Sequence, residues 1–246
     1  YSQMGYVFAK HIFGIKGSYA VDPQKGAVVM TLTTQGDVPI HYTLDGSEPT
    51  AASPRYTGPV EIGKSARFRA TALREGGENA SYSREFAFSK STGRPAVLNT
   101  KPNDSYTFEG ASLLVDGYHS RPVFTSGAWL GYLDEPLDVT IDMGGEQSYR
   151  SVELETLAEK GDWIFPPSSV TVWVSDNGTD FTEVASVAVP EAKAGDADGI
   201  GRYRMQFPET SARYLKVVAQ NAAAIPAWHP GAGSKGFLFV DEVVVE

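Results

Sequence analysis

The sequence contains no cysteine, only four histidines among 246 residues, and fewer basic than acidic side chains. Without cysteine the chain has no disulfide framework, thiol nucleophile, zinc–thiolate centre or iron–sulfur cluster. The formal net charge of −9 argues against a nucleic-acid partner, because phosphate backbones are bound by basic surfaces. No apolar run approaches the roughly 20 residues that a membrane-spanning helix needs, so we expect no membrane insertion.

The N-terminal residues lack the features of a secreted precursor. Residues 1–17 have no basic stretch followed by an apolar core and a small-residue cleavage site, so they form no signal peptide. Position 1 is tyrosine, not methionine. We therefore expect the chain to be a piece of a longer protein. Helical spacing of apolar residues occurs over residues 4–15, which makes this segment the helix candidate of the sequence.

Alternation of apolar and polar residues dominates the remaining sequence and predicts strands. Clear examples are residues 28–33, 66–72 and 137–143, and glycine and proline separate such runs. We predict an all-β protein in which a small immunoglobulin- or fibronectin-III-like sandwich spans residues 21–90. After a Ser/Thr/Gly/Pro-rich linker, a larger antiparallel jelly-roll sandwich spans residues 95–246.

Residues for enzyme chemistry are hard to find. No G-x-S-x-G nucleophile motif occurs, and no pair of carboxylates stands out for acid–base catalysis. Residues 231–236 match G-x-G-x-x-G, but a strand pattern follows them, so no helix N-terminus is available for phosphate and we interpret them as a loop. We predict no catalytic residue in this chain.

The last predicted strand, residues 237–245, is apolar on both faces, and Asp241 and Glu242 interrupt the two faces. A buried carboxylate has to be paired or has to bind a cation. The sequence leaves three interpretations of Glu242 open: a metal ligand, a salt bridge to an arginine, or a position just beyond the core.

Two of the four tryptophans lie in turn-like segments between predicted strands. Trp163 precedes a Pro-Pro pair, and Trp228 stands beside His229 in a Pro/Gly-rich loop. Sugar rings lay their C–H faces on aromatic rings, so Trp163 and Trp228 are candidate glycan-binding residues, with His229 supplying a polar contact. Core packing is the alternative for every tryptophan.

Two parts of the sequence resemble known families. Residues 41–50 (HYTLDGSEPT), with Tyr56 and Pro59 after them, resemble the small fibronectin-III-like domain at the C-terminus of chitobiases and β-N-acetylhexosaminidases. The second half resembles discoidin domains (coagulation factor 5/8 type C), which include galactose-binding-like carbohydrate-binding modules. This resemblance is carried by residues 114–117 (LVDG), Trp129, and residues 141–144, 170–178, 213–217 and 239–243.

This pair of domains in this order is similar to the C-terminal region of bacterial family 20 glycoside hydrolases, the β-N-acetylhexosaminidases. The resemblance implies a non-catalytic accessory region in which the jelly roll binds glycan and the small sandwich is a spacer. The alternative is a purely structural pair of domains that brace the catalytic barrel and bind no ligand. It also implies that residues 1–20 are the junction to that catalytic domain, and that the parent hydrolase is periplasmic or secreted. The chain itself lacks the alternating strands and helices of a barrel.

The discoidin resemblance also implies a structural calcium ion. By this resemblance, Asp116 and Glu242 supply carboxylates. Backbone carbonyls complete the shell, near Leu113, Tyr118, Arg121 and Asp241.

Overall fold

The structure is a computed structural model that describes residues 14–36, 38–73 and 79–246. It divides into two compact units between Ala87 and Phe88. In the described ranges, no helix has the length and apolarity needed to cross a membrane. The predicted helix over residues 4–15 falls almost wholly outside the described residues, and Gly14 and Ile15 have no regular structure.

Within its described residues, the first unit contains two three-stranded antiparallel sheets. One sheet has the order β1–β2–β4 and the other the order β3–β5–β6. Their bounds are Lys16–Asp22 (β1), Ala27–Thr33 (β2), Ile40–Thr43 (β3), Val60–Ile62 (β4), Ala66–Ala72 (β5) and Ala80–Phe86 (β6). The predicted alternation is confirmed, because Val28 and Met30 of β2 and Phe68 and Ala70 of β5 are buried in the core.

The second unit contains seven strands and four short 3-10 helices in the part of the chain that the structure describes. The strands are Ala96–Leu98 (β7), Leu130–Tyr132 (β8), Leu137–Ala158 (β9), Ser169–Ser175 (β10), Thr182–Ala188 (β11), Gly199–Gln220 (β12) and Leu238–Val245 (β13). The 3-10 helices are Asp104–Tyr106 (η1), Gly110–Val115 (η2), Phe124–Ser126 (η3) and Lys160–Asp162 (η4).

Two long strands connect the layers of this unit. In one layer, the first part of β9 pairs with the last part of β12. The last part of β12 also pairs with β10, and β10 in turn pairs with β11. The last part of β9 pairs with the first part of β12 and with β13, and β13 pairs with β8. Register shifts between Gln206 and Thr210 and between Ala212 and Tyr214 let β12 bend from one layer to the other. The result is a jelly-roll sandwich.

The all-β prediction is confirmed, and the jelly-roll core contains the residues that the alternation predicts. Leu137, Val139, Ile141 and Met143 of β9 are fully buried, while the intervening polar residues are partly exposed. Both faces of β13 are buried, as its pattern predicts. A smaller cluster of Trp129, Leu157, Ile164 and Phe239 fills one end of the unit, beneath the loops considered next.

Candidate functional site

The two loop tryptophans are exposed, whereas the two others are not. The exposed fraction is 43% for Trp163 and 38% for Trp228. Trp129 is fully buried and its indole N–H donates to the carbonyl of Arg121 at 3.0 Å. Trp173 is half-buried in β10. Core packing therefore explains Trp129, but it does not explain Trp163 and Trp228.

His229 lies between the two exposed indoles. Its ring centroid is 6.0 Å from that of Trp163 and 5.6 Å from that of Trp228, and both indole planes are nearly perpendicular to the imidazole. The ring of Phe165 lies 5.5 Å away in the same edge-on arrangement. We call Trp163, Trp228 and the buried His229 between them the tryptophan surface.

The bonding of His229 corrects its predicted role as a polar contact for a ligand. The side chain is only 8% exposed. The backbone N–H of Gly231 donates to Nδ1 at 3.0 Å, so Nε2 carries the proton and donates to the carbonyl of Lys160 at 2.9 Å. Because both ring nitrogens are occupied inside the chain, His229 positions the loops that carry the tryptophans.

Trp163 is held by its own backbone and by a glycine. It follows η4 in the left-handed conformation, with φ 65°, and its N–H donates to Lys160. A Cβ at Gly231 would come within 2.8 Å of the Trp163 ring, so a side chain there would displace the indole. The sequence alone gives Gly231 only as part of a loop, and its contact with Trp163 comes from the fold.

Trp228 is fixed by the loop that precedes β12. Its indole N–H donates to the carbonyl of Ala192 at 2.9 Å. The same loop is anchored where Lys160, itself buried, forms a salt bridge with Asp198. The hydrogen bond from Lys160 holds the pKa of Asp198 below its usual range. Both exposed indoles are thus part of one cross-linked set of loops.

A cleft of about 430 Å³ adjoins Trp228. Its lining comes from residues 165–168, 189–192 and 222–227, which are mainly alanine and proline. Glu191 supplies the one carboxylate of this lining and Ser168 the one hydroxyl. The cleft combines apolar walls with few polar groups, as is usual for small-molecule sites.

The second predicted site brings three buried carboxylates to one loop. Asp116 is 2%, Asp241 1% and Glu242 0% exposed. Both oxygens of Glu242 accept from the backbone N–H of Gly117, at 3.2 and 3.3 Å. The backbone N–H of Ser120 donates to Asp241 at 2.7 Å. We call this arrangement the acidic loop site.

A bulge in β13 explains why two consecutive acids reach the same loop. In a regular strand Asp241 and Glu242 point to opposite faces. The pairing of β13 with β9 shifts register between Val240 and Val243, which re-aims the side chains between them. The alternation in the sequence does not reveal this bulge, so the carboxylate of Asp241 was missing from the predicted site.

The two acids of β13 are buried in the acidic loop site. Among the described residues, no lysine, arginine or histidine forms a salt bridge with Asp241 or Glu242, and one oxygen of Asp241 has no hydrogen-bond partner. Burial raises the pKa of Asp241 and of Glu242 well above the usual range, and the charge of Asp116 raises both further. Glu242 therefore lies inside the core and has no arginine partner among the described residues, and its interpretation as a metal ligand stays a prediction.

The side chains alone do not complete a metal site. Within the described ranges, no group of three His, Cys, Asp or Glu side chains is arranged to hold a metal ion. Calcium takes six to eight oxygen ligands and accepts backbone carbonyls among them. The acidic loop site contains carboxylates, which calcium can use, and the backbone N–H groups of Gly117, Tyr118 and Ser120 donate to them.

Comparison with known families covers both units. The chitobiase/beta-hexosaminidase C-terminal domain matches residues 17–84, and the F5/8 type C domain matches residues 99–235. The second match spans more than half of the chain, so the chain belongs to the F5/8 type C, or discoidin, family. The two matches together are consistent with the C-terminal region of a family 20 hexosaminidase. No curated protein matches the chain.

The solved structures to which the chain is similar include individual modules. A chitosan-binding module from Paenibacillus sp. IK-5 has 17% identity and a TM-score of 0.41, covering 64% of this chain and 98% of the module. A Clostridium perfringens module in complex with GalNAc-β-1,3-galactose has 16% identity and a TM-score of 0.42, covering 62% and 94%. A fucose-binding module from Streptococcus pneumoniae has 22% identity and a TM-score of 0.40, covering 64% and 94%.

Proposed function

We propose that the jelly-roll unit binds a glycan at the tryptophan surface. The observation that carries this proposal is the exposure of Trp163 and Trp228 on loops that His229 cross-links. Two exposed indoles on neighbouring loops form an apolar surface of the kind that a partner covers, and loops on a rigid sandwich commonly carry binding residues. Stacking of a pyranose ring on an indole provides such a partner.

The surroundings of the tryptophan surface favour a neutral or cationic sugar. Asp162, Glu191 and Asp196 are exposed on the same loops, and Lys193 is the exposed base beside them. Carboxylates accept hydrogen bonds from sugar hydroxyls but repel uronates and sialic acids. The alanine- and proline-lined cleft accommodates an apolar substituent such as an acetamido methyl group.

Binding at this surface is expected to be weak, with a dissociation constant around 1 mM, because one shallow sugar site buries little area. A weak module still contributes by avidity when a linked domain binds the same polymer.

We infer that the linked domain is the catalytic barrel of a β-N-acetylhexosaminidase, with the first unit as its spacer. We also propose that this parent hydrolase is a periplasmic or secreted bacterial protein, to be tested by fractionating the source cells.

A glycan array tests the function directly. The chain, tagged and multimerised on a reporter to compensate for weak affinity, is applied to neutral, amino-sugar and acidic glycans. We expect retention on galactose- or N-acetylhexosamine-bearing glycans and none on sialylated ones. If no glycan is retained, the domains are scaffolding that braces the catalytic barrel, which is the alternative function.

The chain by itself is expected to be non-catalytic, because the two families that it matches are accessory types of domain and not catalytic ones. Purified chain incubated with an aryl β-N-acetylhexosaminide is expected to release aryl product at the rate of a buffer control. Turnover above that control that a point substitution in the chain abolishes would contradict this prediction.

We further propose a structural calcium ion at the acidic loop site, held by Asp116 and Glu242 and supported by Asp241. Such an ion supplies positive charge beside Asp241 and Glu242, for which the described residues provide no salt bridge. It ties the loop after η2 to β13, the last strand of the jelly roll. Its expected effect is on stability, and its test is given in the Discussion.

A further inference from the structure

Phe108 combines backbone strain with exposure. Its φ of 35° lies in the left-handed region, and its side chain is 46% exposed. A bulky residue in this region costs about 1–3 kcal/mol, which is retained mainly at functional positions. An exposed ring repays little of that cost through burial, so folding alone does not explain why a phenylalanine stands here.

Two ring contacts and one backbone hydrogen bond connect Phe108 to the tryptophan surface, and we call Phe108, Tyr106, Phe237 and Trp163 the aromatic row. The ring of Phe108 is 6.4 Å from that of Tyr106, and Tyr106 is 5.5 Å from Phe237. The backbone N–H of Phe237 donates to the carbonyl of Trp163 at 2.8 Å. Tyr106 and Phe237 are half-buried, while Phe108 and Trp163 at the two ends of the row are exposed.

We propose that this row forms one extended glycan site, with the tryptophan surface at one end and Phe108 at the other. The site then takes an internal stretch of several sugar units and not only a single terminal sugar. This inference rests on the proposed glycan-binding function and specifies its ligand as an oligomer. The strained backbone of Phe108 serves to present the ring to a unit distant from Trp163.

Charge favours a glycan over a lipid surface as the occupant of Phe108. Asp104 and Glu109 are exposed on either side of it, and Lys101 is paired with Asp104 at 2.6 Å. Membrane surfaces are anionic and attract clusters of lysine and arginine. The acidic flank of Phe108 opposes that attraction, whereas its carboxylates can accept hydrogen bonds from sugar hydroxyls.

The test uses Phe108→Gly, because glycine adopts a positive φ without strain and the variant loses only the ring. Calorimetry or NMR gives the affinity for β-1,4-linked N-acetylglucosamine oligomers and β-1,4-linked galactose oligomers of one to six units. The control is Val97→Ala, which trims a 61% exposed side chain on β7. Thermal melts verify that both variants are folded.

We expect the hexamer to bind wild type at least tenfold more tightly than the monomer, and Phe108→Gly to lose about tenfold for the hexamer only. A site for a single sugar also binds a long oligomer more tightly than a monomer, because the oligomer offers it several equivalent sugar units. The difference between wild type and Phe108→Gly is therefore the deciding quantity.

Other outcomes overturn the inference in distinguishable ways. If Phe108→Gly follows wild type at every length while Trp163→Ala weakens binding at least tenfold, glycan binding stands and the extended site does not exist. If neither series binds wild type at any length, the proposed function and this inference both fail. If Phe108→Gly instead reduces retention on phosphatidylserine–phosphatidylcholine vesicles, Phe108 contacts lipid and the inference is wrong.

Discussion

Adding calcium to the chelator-treated chain is expected to raise the melting temperature of the jelly-roll unit by roughly 5–10 °C. An ion that binds only the folded state stabilises it by about 2.7 kcal/mol when it is present at a hundredfold excess over its dissociation constant. For a unit of this size, each kcal/mol corresponds to roughly 2–4 °C. The physical reason is the burial of Asp116, Asp241 and Glu242 at the acidic loop site.

The variant Glu242→Gln separates calcium binding from ordinary packing. It preserves the side-chain shape but removes one negative charge, so calcium is expected to give it little stabilisation. Without calcium, the variant is expected to melt at or above the temperature of wild type, because its buried side chain is neutral. The control Glu209→Gln, at an exposed carboxylate paired with Arg150, is expected to respond to calcium as wild type does.

Two results contradict the calcium proposal. One is a melting temperature that chelator and calcium leave unchanged. The other is an experimental structure, grown in calcium, without an ion surrounded by six to eight oxygens at about 2.3–2.6 Å at this loop.

Replacing Trp163 or Trp228 by alanine is expected to weaken binding of the array-identified glycan at least tenfold, and replacing both to abolish measurable binding. Buried tryptophan contacts at interfaces commonly contribute 2 kcal/mol or more, which corresponds to about a thirtyfold change. Starting near 1 mM, the double variant would fall outside the range of a titration. The control Trp173→Ala removes a half-buried indole of β10 and is expected to retain binding.

His229→Ala tests how the two indoles are coupled. It removes the bonds to Lys160 and Gly231, so we expect weaker binding although the imidazole does not touch the ligand. In a double-mutant cycle with Trp163→Ala, the two losses are expected to be less than additive, because both act on the same contact. Fully additive losses would show that His229 acts independently of Trp163. If Trp163→Ala and Trp228→Ala are folded and both bind glycan as wild type does, the tryptophan surface is not the binding site.

Much of the fold follows from local patterning. Period-two alternation in β2, β5 and β9 identifies the buried residues, because one face of each strand packs on a core. The length of β9 and β12, and the bends that carry them between layers, depend on pairings distant in sequence. Alternation reports the face of a strand and not where the strand bends.

The sequence predicts those residues of the candidate sites whose type is unusual for the sequence around them. Trp163 and Trp228 stand out because turn-like sequence surrounds a large aromatic residue, and Glu242 stands out because it interrupts an apolar strand. Their partners do not stand out. Gly231 leaves room for the Trp163 ring, and the backbone carbonyl of Ala192 accepts from the indole of Trp228. Asp241 reaches its loop through the bulge in β13. These contributions arise only from tertiary structure.

The central claim is that glycan occupies the tryptophan surface, and a titration followed by ¹H–¹⁵N NMR tests it most directly. Each tryptophan indole N–H gives its own signal, and those of Trp129 and Trp173 serve as internal references. With increasing galactose or N-acetylhexosamine ligand, we predict saturable shifts for the indoles of Trp163 and Trp228 and for the amides of Ala192 and Gly231. No shift at tens of millimolar ligand, or shifts confined to residues away from these loops, would contradict the account.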